Sequence, residues 1–571
     1  MSEALVVCQR PSDVPEETSG EVVVIDSVVR QFDSESVNGL FDRLVRLDVE
    51  HPHDVPVYTL ISNHVWGDGE LHEQSPRSME VLVPLYRHLE DRVTAETTVV
   101  RSYGVSARYL DVVRDLVANE GLRLESRAAT DEGVSDRRIV VGAVLWLVAS
   151  VFDGVLSLLL RPWFAPSGAD LLVKYPAFRS GSFGPVERRL DRSYDATFTL
   201  LTISYFSHVR ETVAKETNVV PIRCFDTVRG MLSEYAFFLR FGYDLLVTDR
   251  TAAAVTDAIE RETGVRLERT VGTLFRRAAW SNVQVYLYHG AAERILDRGS
   301  YETLLLTSSG PSGRAIAFSR TGNQTDVYVL PHSIQHQRLM TNCGQYAGVF
   351  VEGTIVEQAV RESKTDLVPA GYPKHVEIYE RRSGDHDDDH SECGERLLVG
   401  TQPFDDGLRR EFVLDIVPTV LERTDWEAVI KLHPAEESPF YEQVLADAGI
   451  DADAESRLEI VDDDLYDRIE DSDLLVTVHS NVGLEAVILN TPAACYNVWS
   501  PDVRDPLYAK HGPVPALRGR DELVAVLSED IDDHRRRQQS LLDGPYNVVG
   551  NSVEQIPSVI ETRLIDGDDG R

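Results

Sequence analysis

Residues 471–497, from Asp471 to Asn497, read DSDLLVTVHSNVGLEAVILNTPAACYN. Leu474–Val478 is a short apolar run, the length and composition of a buried strand, and it ends at His479-Ser480-Asn481. A helical pattern opens at once, and Ala493–Tyr496 (AACY) reads as the next strand. Strand, turn, helix and strand in that order demand a crossover, so the two strands are parallel neighbours in a sheet with helices on its faces.

Working outward, the same alternation continues upstream. Arg396–Gly400 (RLLVG), Trp426–Leu432 (WEAVIKL) and Leu458–Val461 (LEIV) are strand candidates with helical patterns between them. A comparable series fills the N-terminal half, at Glu21–Ser27, Val57–Ser62, Thr97–Arg101, Tyr243–Asp249, Tyr301–Thr307 and Asp326–Leu330. The expected fold is therefore α/β, with two doubly wound parallel-sheet domains facing a cleft into which the carboxyl ends of both sets of strands open. The expected division is an N-terminal domain over 1–350, a C-terminal domain over 351–550 and a terminal helix with an acidic tail over 551–571. An acidic, turn-rich linker at Gly384–His390 precedes the second unit. Residues of about 130–240 interrupt the first alternation and read as an inserted helical region.

The chain has 571 residues, with 94 Asp plus Glu against 57 Lys plus Arg and a formal charge of −37. Most of such a surface repels a phosphate backbone, which argues against nucleic acid as a partner. The cations are almost all arginine; lysine occurs only at Lys174, Lys215, Lys364, Lys374, Lys431 and Lys510. That bias suggests a halophilic chain, since concentrated salt screens the repulsion among surface carboxylates. Five dispersed cysteines with no C-x-x-C pair point to a reduced, cytoplasmic setting without a zinc site. The opening residues show no signal-peptide pattern.

One stretch departs from the soluble pattern. Ile139–Leu160 is almost wholly apolar, follows Arg137-Arg138 and precedes Arg161-Pro162-Trp163-Phe164. Asp153-Gly154 within it and basic residues at both ends favour partial insertion at a membrane surface over spanning, with a turn at Asp153-Gly154 near the headgroups. The alternative is a buried helix between domains. With residues 139–164 at the surface, the protein would sit peripherally on the inner face of the cell membrane.

The strand ends carry the candidate chemistry. Ser480 or Asn481 caps the helix after the Leu474 strand, and its first N–H groups could hold a nucleotide diphosphate. Glu485, one turn on, is placed to accept from ribose hydroxyls. The strand ending Lys431-Leu432-His433-Pro434 brings a lysine and an imidazole to the same edge, both able to contact donor phosphate or base. After Asp326–Leu330, the loop Pro331-His332-Ser333-Ile334-Gln335-His336 supplies two histidines; His332 is the first candidate for general base and His336 the second. Asp462-Asp463-Asp464 resembles a metal triplet but precedes a short helix whose positive end welcomes carboxylates, so no metal site is assigned there.

Taken together, the His332 loop, Gly371-Tyr372-Pro373-Lys374, Lys431–Pro434 and Asp473–Ser480 resemble, in their order, the motifs of the GT-B transferases of surface polymers. These include the CDP-glycerol glycerophosphotransferases and the capsular polysaccharide transferases. The resemblance covers about residues 300–500 and implies two Rossmann-like domains. It also implies His332 as base, with His433, Ser480, Asn481 and Glu485 binding the donor, and a nucleotide-activated donor used as substrate without cofactor or metal. The acceptor it implies is a glycan or lipid-linked precursor. The chain departs from the pattern where Ser333 follows His332 in place of glycine, and where Val478-His479-Ser480-Asn481 replaces an aspartate-tyrosine-serine-serine turn. Ser480-Asn481 with Glu485 is instead similar to sugar-nucleotide users, so the expected reaction is transfer of a sugar, with polyol-phosphate transfer as the alternative. A nucleotide-sugar epimerase on the same plan and a non-catalytic nucleotide-binding protein at the membrane remain open as rivals.

Overall fold

The computed structural model describes residues 3–9, 13–15, 20–32, 40, 43–44, 79–105, 107–127, 136–160, 171–174, 186, 197–201, 219–221, 227–243, 250–281, 303–306, 326–330, 347–355, 366–383, 395–404, 406–451, 455–497, 505–543 and 547–568. Its strands form three sheets, and every pairing among them is parallel.

The C-terminal sheet is built from β12 (Arg396–Gly400), β13 (Glu427–Lys431), β14 (Leu458–Val461), β15 (Leu474–Thr477), β16 (Ala493–Tyr496) and β17 (Ala516–Leu517). Its order is β14-β13-β12-β15-β16-β17, so the chain winds outward from β12 in one direction and then returns to wind outward from β15 in the other. Every residue of β15 and β16 is buried, as expected for strands covered on both faces rather than one. One face packs Phe412, Ile416 and Val420 of the helix Asp406–Arg423 against Leu397, Val399 and Ile430.

The middle sheet has the same doubly wound logic. Its strands are β5 (Leu171–Lys174), β6 (Thr197–Leu201), β7 (Val219–Pro221), β8 (Thr303–Leu306), β9 (Asp326–Val329), β10 (Gly348–Val351) and β11 (Leu367–Pro369). They lie in the order β11-β10-β9-β8-β5-β6-β7, reversing between β5 and β8. Two doubly wound parallel sheets in sequence are the α/β fold expected from the alternation.

A third sheet was not anticipated. β1 (Glu3–Cys8), β2 (Glu21–Val24), β3 (Thr97–Tyr103) and β4 (Arg123–Arg127) pair in the order β2-β1-β3-β4, as a unit preceding the other two. Residues 130–240, expected as an insertion, instead supply β5, β6 and β7 to the middle sheet, which runs on through β10 and β11 beyond residue 350. These strands are only three to five residues long, so long stretches of other chain hid their periodicity. Within Glu21–Ser27 the strand stops at Val24 and a helix begins at Ile25. Tyr243 closes the helix Val228–Tyr243, while 57–62, 244–249 and the linker 384–390 lie outside the described residues.

The helix Ser552–Asp568 returns to the middle sheet, where Ile556 and Ile560 are buried with Leu305, Tyr328, Leu330, Phe350, Ala370 and Tyr372. Where the chain leaves β11 it crosses the segment entering this helix. Gly371, at φ +79°, lies so close that a Cβ there would stand 2.0 Å from the Val549 carbonyl oxygen.

The apolar segment forms one continuous helix, Asp136–Leu160. Asp153 and Gly154 make no turn; both are buried within it, and a Cβ on Gly154, which faces the helix Val228–Tyr243, would meet Met231 Sδ at 2.5 Å. The short side chain at 154 is what allows the two helices to approach. Among the described residues, no helix is long and apolar enough to cross a membrane.

Candidate functional site

Ligands of open α/β sheets bind outside the carboxyl ends of the strands, where the winding reverses and adjacent loops part. In the C-terminal sheet this point lies between β12 and β15. Two loops meet there, Thr401-Gln402-Pro403-Phe404 after β12 and Val478-His479-Ser480-Asn481 after β15. Gln402 ties them together. Its Oε1 accepts from the His479 backbone N–H at 3.0 Å and its Nε2 lies 3.0 Å from His479 Nδ1, which leaves the imidazole proton on Nε2 in the neutral ring. The Phe404 ring meets the imidazole edge-on at 5.1 Å.

The third loop, after β13, is fixed by a buried carboxylate. Glu436 accepts from Thr401 Oγ1 at 2.5 Å, from Tyr441 Oη at 2.6 Å and from the His433 backbone N–H at 3.2 Å. His433 is exposed at this edge, and its Nδ1 accepts from the Ala435 N–H at 3.1 Å. Lys431 is buried just below, donating to the Leu432 carbonyl at 2.8 Å, and burial lowers its pKa from the ordinary lysine value.

At the start of the helix Val482–Ile488, the Ser480 hydroxyl accepts from the Val482 N–H at 3.2 Å. Asn481 is the N-cap residue by position, but its side chain makes no capping bond. Tyr508 Oη donates to the Ser480 carbonyl, and a Cβ on Gly483 would stand 2.5 Å from that phenol oxygen, so the glycine admits the tyrosine beneath the turn.

Glu485 lies deeper than the sequence suggested. Its side chain is 5% exposed; Oε1 accepts from Lys374 Nζ at 2.7 Å and Oε2 from Tyr466 Oη at 3.2 Å. Burial alone would lower the Lys374 ammonium, but the charge and hydrogen bond of Glu485 outweigh it and hold the pKa raised. Tyr466 is pushed up to about 12, by burial first and then by the Glu485 charge. Two further buried groups feel that charge. The Glu352 carboxyl, at the end of β10, is raised to about 8 by burial and by Glu485, and His375 is lowered to about 4 by burial. Glu485 therefore joins the C-terminal sheet to the middle one. Each carboxylate oxygen has a second lone pair, so the ion pair leaves acceptor capacity for a hydroxyl that reaches it.

The structure thus brings Lys431, His433, Ser480, Asn481 and Glu485 to one end of one sheet. His332 and His336 lie outside the described residues. The residues missed by sequence reasoning are Gln402, Glu436, Tyr466 and Lys374. Lys374 stands in a quoted motif, but nothing local disclosed a partner more than a hundred residues away. Asp464 accepts from the Tyr466 and Asp467 N–H groups, as a helix cap does, and among the described residues no cluster of three His, Cys, Asp or Glu could hold a metal.

The fold and this edge define a parallel-sheet α/β protein whose candidate residues meet beside a topological switch point. No protein-family model and no curated protein matches the chain. Among solved structures it is similar to the Methanocaldococcus jannaschii UDP-GlcNAc 2-epimerase in complex with UDP-GlcNAc and UDP, at 12% identity and a TM-score of 0.41 over 69% of this chain and 99% of that one. It is also similar to a glycosyltransferase from Rickettsia africae, at 9% and 0.38 over 70% and 99%, and to the wall teichoic acid polymerase TagF, at 10% and 0.38 over 75% and 97%. Likenesses of this degree say nothing about activity.

Proposed function

We propose that the chain is a glycosyltransferase that moves a sugar from a nucleotide-activated donor to a hydroxyl of a surface-glycan or lipid-linked precursor, working at the inner face of the cell membrane. The observation that supports it is the Gln402–His479 bridge across the switch point. It fixes the β12 and β15 loops beside His433, Ser480 and Asn481, with Glu485 in the first turn of the helix that follows. In this reading the donor diphosphate rests against Ser480 and Asn481, with the Lys431 cation beneath and His433 beside it, and the ribose hydroxyls reach Glu485. His332 takes the proton of the acceptor hydroxyl as its oxygen bonds to the anomeric carbon; the bond from that carbon to the donor phosphate oxygen breaks, and the nucleoside diphosphate leaves. No metal or cofactor has a role in this scheme.

A thermal-shift series against UDP, GDP, CDP, CMP and their sugar or glycerol derivatives tests it. One nucleotide should raise the melting temperature of the wild type and fail to do so with Glu485→Ala. His332→Ala should keep the shift and lose about a hundredfold or more in transfer. A CDP-glycerol response would turn the reading to polyol-phosphate transfer, turnover of free donor without acceptor would turn it to epimerisation, and no response at all would refute donor binding.

A further inference from the structure

The helices Asp136–Leu160 and Val228–Tyr243 touch at the close approach at Gly154 and through a hydrogen bond from Tyr235 Oη to the Ser150 carbonyl at 3.1 Å, while the first helix packs more extensively on the helix Glu268–Ser281. Four of their polar residues point inward. Ser150, Asp153 and Ser157 of the first helix and Glu234 of the second are buried, along with Met231 and Phe238. The outward side is the reverse of what a water-soluble pair requires. Val141, Val144, Leu145, Val148, Val151, Phe152, Val155 and Leu159 recur at helical spacing along one face, and Leu145, Phe152 and Leu159 are more than 60% exposed. Leu232 and Leu239 on the second helix are exposed to a similar degree.

Large apolar side chains gathered this way call for an occupant, because scattered ones are ordinary but a stripe along a whole helix is not. Charge indicates which. The chain carries 94 acidic residues against 57 basic ones, yet within this face the only exposed charges described are Arg229 and Arg240, toward either end of the second helix. Of the acids in the two helices, Asp153 and Glu234 are turned into the protein, and Asp136 stands at the start of the first. Arg137 and Arg138 stand in the first turn of the first helix, and Arg161 follows its end in the sequence. A second copy would bring two chains of charge −37 together. An anionic lipid surface offers acyl chains to the apolar stripe and phosphates to Arg229 and Arg240.

We infer that the paired outer faces of Asp136–Leu160 and Val228–Tyr243 lie flat on an anionic bilayer, sunk to the headgroup–acyl boundary. The first helix, 25 residues long, would extend about 37 Å in the membrane plane at 1.5 Å per residue, and its buried polar seam prevents it from leaving the fold to span. The membrane location proposed above thereby acquires a defined surface, which stands or falls separately from the donor site.

Flotation of the full chain with vesicles of phosphatidylcholine alone, or mixed equally with phosphatidylglycerol, tests the inference at about 0.15 M salt, where a Debye length of about 8 Å screens repulsion from the distant parts of the chain but not contacts at the face. The wild type should float with the mixed vesicles and less well with phosphatidylcholine. Phe152→Asp and Leu239→Asp should each reduce binding about tenfold or more, leaving the circular-dichroism melt and the nucleotide-induced thermal shift unchanged. Failure to float with either vesicle would overturn the proposal, as would full binding by both variants. Equal binding to the two vesicles would overturn the anionic preference. A dimer in light scattering that Phe152→Asp dissociates would assign the face to a second copy instead.

Discussion

Replacing Lys374 by methionine keeps the length of the side chain and removes its charge, leaving Glu485 a buried carboxylate with Tyr466 as its remaining hydrogen-bond partner among those described above. Removing one partner of a fully buried ion pair costs about 3–5 kcal/mol. The Lys374 side chain is 34% exposed, so water reaches the pair from one side, and the expected cost falls to about 2 kcal/mol. Glu485→Gln strands the lysine less severely, because an exposed ammonium can turn to solvent. The double variant Lys374→Met/Glu485→Gln removes both charges and should recover most of the loss, giving a coupling energy of about 1–2 kcal/mol. Urea unfolding of the four proteins in one buffer measures the cycle. Additive single effects would show that the pair does not hold the two sheets together. Donor affinity reads the same residues a second way: with Lys374→Met the acceptor capacity of Glu485 is freed and affinity should hold or rise, whereas Glu485→Gln should lose about 1–3 kcal/mol of it. Loss in both variants to the same degree would make the ion pair, not the carboxylate, the element on which donor binding depends.

Two further outcomes rest on burial and backbone geometry. Folding raises the Glu352 carboxyl from 4.5 to about 8, so between those values the native chain keeps a proton that the unfolded chain has released. Its contribution is present below about pH 4.5 and is lost as pH rises toward 8, at roughly 1.4 kcal/mol per pKa unit. His375, lowered from 6.5 to about 4, works in the opposite direction, its contribution being lost as pH falls through that window. Glu352→Gln should therefore remove the decline on the alkaline side alone; parallel pH profiles of urea midpoint in variant and wild type would refute the assignment. Gly371→Ala forces a Cβ against the Val549 carbonyl at a left-handed backbone position and should destabilise by more than about 2 kcal/mol. A melting temperature equal to that of the wild type would show that the crossing of the two segments can relax.

The sequence by itself determined the C-terminal sheet. Its central strands are buried on both faces, and such strands must be continuous apolar runs, so β12, β13, β15 and β16 stand out between helical patterns, with β14 as a half-exposed edge beside them. The same strand-to-helix reading picked out His433, Ser480 and Glu485 as one edge, because residues that follow parallel strands share an end of the sheet whatever lies between them. β1, β5, β6 and β7 escaped because an apolar run of three to six residues is marked as a strand by the helical patterns on either side of it, and around these four no such pattern was recognised. The partners of the site escaped for another reason. Gln402 reaches His479 across 77 positions and Lys374 reaches Glu485 across 111, distances over which local pattern is silent. The apolar helix shows the division most plainly: its composition marked it as exceptional, but Asp153 could have been a kink, a headgroup anchor or a buried group. Only packing in the fold, with the helix Glu268–Ser281 along it and Met231 and Tyr235 at Gly154 and Ser150, decided that the acid is buried and the apolar stripe outward, because a helix has no preferred face until a neighbour covers one of them.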